Sequence, residues 1–186
     1  MEASFSLREA TIRDIHAAYR DKQLSVRELV QLYINRIEQL DRSGPAINSI
    51  ITINPRALEE ADRLDRLSDP SGPLHGIPVI LKDQIDAAGM PTTLGSVLFR
   101  DFYSDRDAFV VEKLKAAGAI VLAKATLGEL GAGDTHGTLF GSTRNPYDLE
   151  RTVGGSSISG SPCLPRGAAD SGVTANTASE RAHWSR

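Results

Sequence analysis

The 186-residue sequence has one cysteine, Cys163, and only 5% aromatic residues, with no block of like charge and no long apolar run. A single cysteine excludes an intrachain disulfide and leaves a cysteine-based zinc site without partners. The longest apolar stretches, "GIPVIL" and "AIVLA", fall far short of the roughly 20 residues that span a bilayer. The formal net charge is −3, and no cluster of Lys and Arg stands out. That argues against nucleic acid or an anionic membrane surface as a partner. The opening stretch "MEASFSLREATIRD" carries acids early and lacks an apolar core segment, so it does not read as a secretory signal. A cytoplasmic, non-membrane protein is expected.

What is present suits a packed α/β core. Apolar residues make up 40% and charged residues 24%, the usual balance of a globular chain, and the length fits one domain with or without a tail. The clearest helix is predicted over residues 25–40. Ser25 and Glu28 have capping-box spacing, and Val26, Leu29, Val30, Tyr33, Ile37 and Leu40 recur at three- and four-residue steps. A shorter helix is expected over 8–20, a strand over 48–53, and a helix after Asn54 with Pro55 at its first position. "IPVILKD" (77–83) and "AIVLAKA" (119–125) read as buried strands flanking an amphipathic helix over 107–118 that Gly118 ends. That order predicts a βαβ unit in a mixed, mostly parallel sheet.

Residues 126–157 are richer in Gly, Thr and Ser and are expected to form loops around short helices. Beyond residue 160 neither helical nor strand periodicity survives. Of the 27 residues from Gly160 to Arg186, 14 are Gly, Ser, Ala or Thr, too little apolar surface to offset the entropy of ordering them. A disordered tail is predicted there.

Two features could carry chemistry. Lys82 ends a buried-type strand and is followed by Asp83; a strand-end lysine is most simply a solvated charge. Gly154-Gly155-Ser156-Ser157 lets the backbone approach closely and then supplies two hydroxyls, although such a run also suits a flexible linker. Thr92-Thr93 and Gly95-Ser96 are explained by turn formation as readily as by function. His75 and His136 lack acids or cysteines spaced as co-ligands, so a metal reading finds little support.

With their flanks, these residues resemble a known family. "GPLHGIPVILKDQIDAAGMPTTLGS" (72–96), "GAIVLAKATLGELGAG" (118–133) and "FGSTRNPYDLERTVGGSS" (140–157) are similar, in order, to three segments of the amidase signature family. The resemblance covers about residues 8–157. It implies an incomplete amidase-signature fold over 1–157, followed by a non-family tail over 158–186. It also implies a Ser–cis-Ser–Lys triad that hydrolyses or transfers amide C–N bonds with no metal or organic cofactor. Lys82 matches the family's lysine and Ser156 its bridging serine, with Ser157, Gly154 and Gly155 near the site. A lysine acts as a base only when neutral, which desolvation promotes, and a hydroxyl between base and nucleophile can relay the proton.

The resemblance breaks after Ser157. The family continues into a small-residue helix and then a glycine turn bearing the nucleophile, whereas Pro162 and Pro165 interrupt this sequence and Glu180 stands where that turn is expected. No nucleophile is identified; Ser171 and Ser179 lack the glycine turn. A reading-frame change near 157–158 would explain the switch. The expected function is therefore amidase by family, on a small-molecule amide, with a chain inactive alone. The alternatives are a non-catalytic fragment pairing with another chain, a homo-oligomer included, or the A-type subunit of a glutamine-dependent amidotransferase.

Overall fold

The computed structural model describes residues 5–7 and 10–155; Ser156, Ser157 and the predicted tail lie outside them. The N-terminal part is a helical layer. Helix α1 (Ile12–Arg20) starts at Thr11, whose side chain accepts the Asp14 N–H while Asp14 accepts the Thr11 N–H. Helix α2 (Val26–Ile37) has the reciprocal Ser25–Glu28 box that the sequence predicts. It ends at Ile37 rather than residue 40, and the chain widens into a π-turn over Glu38–Arg42. The buried Asp41 carboxylate at this turn accepts the Ser49 and Ile50 N–H groups and so ties the helix exit to the first strand.

That strand is β1 (Ile50–Ile53), and helix α3 (Ala57–Asp65) follows it. Pro55 is not the first helical residue, because Asn54 delays the helix. Asn54 Oδ1 accepts the Arg56 N–H and its Nδ2 donates to Val121 O at 2.7 Å, so the chain is pinned to a neighbouring strand before it can coil. Strand β2 (Pro78–Lys82), helix α4 (Phe109–Ala116) and strand β3 (Ile120–Ala125) form the expected βαβ unit. The sheet order is β1-β3-β2, with β2 parallel and β1 antiparallel to β3. Gly118, at φ +93°, turns the chain from α4 into β3.

Both faces of this mixed sheet are covered. On one, Leu29, Val30, Ile37 and Leu64 of the helical layer pack against Ile50, Ile120 and Leu122. On the other, Val111 and Leu114 of α4 pack with Val79, Leu81 and Val121. Every residue of β3 is buried, which is why its sequence is a near-continuous apolar run rather than an alternation.

Residues 126–155 depart from expectation. Only one short helical turn forms, Glu129–Gly131. The rest is two small antiparallel hairpins, β4 (His136–Gly137) with β5 (Gly141–Ser142), and β6 (Arg144–Asn145) with β7 (Asp148–Thr152). Backbone ladders hold them and β7 is exposed throughout, so no apolar period marks them. Among the described residues no helix is long and apolar enough to cross a membrane.

Candidate functional site

The strand ends on the carboxyl side of β2 and β3 gather the residues singled out from the sequence. Open α/β sheets present ligands at this edge, where loops can vary without disturbing the core. Lys82 is half-buried at the last position of β2, opposite Ala125. Asp83 follows and is fully buried. Its N–H donates to Ala125 O, and its Oδ2 accepts both the N–H and the hydroxyl of Thr93, at 2.9 and 2.8 Å.

A second lysine lies beside it that the motifs did not single out. Lys124, in the middle strand, is fully buried and its Nζ stands 3.8 Å from Asp83 Oδ1. Nζ donates to Pro91 O at 3.1 Å and to Thr92 Oγ1 at 3.2 Å. Burial lowers the Lys124 pKa, opposed by the negative charges of Asp83 and Asp86. The signal was in the sequence: one cation inside the otherwise apolar "IVLAKA" must find partners when buried.

Thr92 and Thr93 are therefore more than turn residues, since they join the segment after β2 to Lys124 and Asp83. Gly95, at φ +72°, continues this segment; its N–H donates to Thr93 Oγ1 and its carbonyl accepts the Leu139 N–H. Ser96 is buried and caps the short turn that follows. Glu129 has its pKa lowered by hydrogen bonding from Ser96 and then from the Thr138 N–H and hydroxyl. Leu94 and Leu130 both occupy the left-handed region, at φ +51° and +56°, and are joined by a 2.8 Å hydrogen bond from Leu130 N to Leu94 O. Non-glycine residues held there store strain and recur at functional sites.

Gly154 and Gly155 dock onto the same edge. Thr135 donates through both its N–H and its hydroxyl to Gly154 O, each at 3.1 Å, and Gly154 has φ +79°. Gly155 pairs with Asp134, and a Cβ there would collide with Gly133 O, so only glycine fits. Gly131 in this loop in turn lies against Gln84 Oε1, two positions beyond Lys82. The segment leading into Ser156 is thus carried to the strand end that bears Lys82. Ser156 and Ser157 themselves lie outside the described residues.

His75 and His136 are accounted for locally. His75 Nδ1 accepts the Ser71 N–H, and His136 Nδ1 bonds Ser142 Oγ. Among the described residues no group of three His, Cys, Asp or Glu is placed to hold a metal ion. A cleft lined by Tyr19, Ser25, Asp65 and His75 lies at the opposite end of β2, away from Lys82.

Comparison with known proteins agrees with this arrangement. The family model described as Amidase matches residues 28–164. The A-type subunit of a glutamyl-tRNA(Gln) amidotransferase from Alkaliphilus metalliredigens is 40% identical over 176 residues, covering 92% of this chain and 35% of that protein. Among solved structures, the native peptide amidase from Stenotrophomonas maltophilia superposes with a TM-score of 0.73 at 39% identity, over 76% of this chain and 31% of that one. An amidase family protein from Bacillus anthracis gives a TM-score of 0.76 at 35% identity, over 81% of this chain and 32% of that one. The chain spans about a third of the length of the relatives it matches.

Proposed function

The chain belongs to the amidase family, and from that premise we propose that it is the base-bearing N-terminal part of an enzyme that breaks carboxamide C–N bonds. The observation that carries this reading is the convergence of Lys82 and the Gly154-Gly155 segment on one strand-end edge, through Gln84, Gly131 and Asp134. Lys82, when neutral, is the general base. Ser156 hands the nucleophile's proton on to Lys82. The nucleophile's oxygen bonds the carbonyl carbon, the C–N bond breaks, and the returned proton leaves on the amine. Water then cleaves the acyl ester. Residues 1–157 contribute the base and the relay, residues 158–186 stand outside this chemistry, and the nucleophile is not supplied by Ser171 or Ser179.

Two substrate readings follow. The curated relatives' names favour an A-type subunit that takes ammonia from glutamine for a partner subunit, whereas the peptide amidase neighbour favours a simple hydrolase of small amides. We adopt the first, working in the cytoplasm. The test measures ammonia release from glutamine and from a simple carboxamide, with the chain alone and mixed with the remaining two thirds of a curated relative. The expected result is no release by the chain alone, and glutamine-dependent release on mixing that Lys82→Ala abolishes. Release indifferent to Lys82→Ala overturns the proposal, as does turnover by the chain alone that Ser171→Ala or Ser179→Ala removes. Release from the carboxamide but not glutamine selects the simple hydrolase.

A further inference from the structure

We infer that Lys124 is a positioning residue for Lys82, acting as a buried cationic strut between Asp83 and the Pro91–Thr93 segment. The inference rests on the reading of Lys82 as the base, and deepens it.

The geometry follows from strand alternation. Successive side chains leave a strand on opposite faces. Lys124 stands opposite Leu81 in the ladder and Lys82 opposite Ala125. Leu81 belongs to the cluster under α4, while Ala125 belongs to the cluster under the helical layer. Lys124 and Asp83 therefore clamp the end of β2 from the α4 side, and Lys82 emerges on the other. Asp83 is the chain neighbour of Lys82, so whatever fixes the Asp83 side chain also fixes the direction in which the Lys82 stem departs.

The clamp is closed at every point the structure describes. Asp83 Oδ2 holds Thr93 by two hydrogen bonds. Lys124 Nζ faces Asp83 Oδ1 at 3.8 Å and donates to Pro91 O and Thr92 Oγ1. Asp83 and Asp86 are the acids that act on Lys124. A fully buried ammonium is costly unless its hydrogens find acceptors and its charge finds a counter-charge. A methionine of similar length would fill the space without either demand. The cation is thus explained by what it organises: the chain on both sides of Lys82, from Leu81 to Thr93, is drawn to one point. Nothing in this assigns Lys124 a contact with substrate.

The test uses the full chain with lysine 13C-labelled at Cε. Its five lysines give few signals, and the Lys82 signal is assigned by its loss in Lys82→Arg. Titrating the signals reports the Lys82 amine directly and needs no turnover. In the unmodified chain Lys82 is expected to titrate below the ordinary lysine value. Lys124→Met is expected to raise that midpoint by about one pH unit, as the amine loses its fixed, desolvated setting. Removing a nearby positive charge would act in the same direction, so a charge-neutral variant separates the two causes. Thr92→Val removes one acceptor of the strut and is expected to raise the Lys82 midpoint by a smaller amount. If Lys124→Met does not fold, Thr92→Val decides alone.

A lowered Lys82 midpoint that stays unchanged in Thr92→Val overturns the inference and leaves the base reading intact. So does faster amide exchange at Thr93 with no change at Lys82, since Lys124 would then serve the fold only. An ordinary midpoint in the unmodified chain overturns the base reading itself, and the positioning role falls with it.

Discussion

The sheet with its helices and the strand-end lobe over residues 126–155 are held together by different physics. In the body, Leu29, Val30, Ile37 and Leu122 are completely buried, and stability follows apolar area removed from water. In the lobe, Leu130 and Tyr147 are exposed and β7 has no buried residue. The lobe is fastened by directional bonds instead. The Thr126 and Thr143 hydroxyls meet at 2.8 Å, Thr143 donates to Asn48 O, and Asn48 Nδ2 donates to Phe140 O. Burial gives strength without direction, whereas hydrogen bonds and close glycine contacts set positions within tenths of an ångström. A site that must aim a lysine and a serine at one another needs the second kind of holding, built on the first.

The joint between the two regions is where the largest effect is expected. Asp83→Ala leaves Lys124 as an unpaired buried charge, and truncating one partner of such a pair costs about 4 kcal/mol. Urea unfolding would read it, and a loss like that of a surface substitution would show that the joint is not a strut. Next comes the body: Leu122→Ala is expected to cost about 3 kcal/mol through lost burial and the cavity left behind. Gly155→Ala should be milder, about 1–3 kcal/mol of strain from the clash with Gly133 O. Its effect should be confined to the lobe, with faster amide exchange at Thr135 and unchanged exchange in β3. Exchange that rises equally in both would break the distinction between them.

The smallest effect concerns His75, at the far end of β2. Burial, then the neighbouring His16, lowers its pKa from the model-compound value of 6.5. The unfolded chain therefore binds the proton more readily. The contribution to stability is complete above about pH 6.5 and is lost as pH falls through the folded value. Protonation also removes the Nδ1 acceptor of the Ser71 N–H. Urea midpoints between pH 7.5 and 5.5 should fall more for the native chain than for His75→Gln, at the pH values chosen about that reference. Equal slopes would remove His75 from the account.

Much of the body was legible because its signals are local or periodic. The Ser25–Glu28 box, the apolar face of α2 and the β2-α4-β3 order each follow from residue type and spacing. The lobe was not, because backbone ladders between short exposed strands leave no period, and its hairpins were read as loops. The start of α3 was missed by two residues because the decisive bond, Asn54 to Val121, spans the sheet. At the site, Lys82 was found through its flanks, while Lys124 was passed over as part of a strand. Its meaning depends on Pro91 and Thr92, 33 and 32 positions away in sequence, and no local pattern announces such a partner. The role of Thr92 and Thr93 was hidden for the same reason.

The central claim is that Lys82 is poised as a base, and its reactivity measures this most directly. The intact chain would be acetylated briefly with acetic anhydride across a pH series, and the modification of Lys82 compared with that of exposed Lys22 by mass spectrometry. The account predicts that Lys82 reaches half its maximal reactivity at a distinctly lower pH than Lys22. If the two curves coincide, Lys82 is an ordinary solvated lysine and the account is wrong.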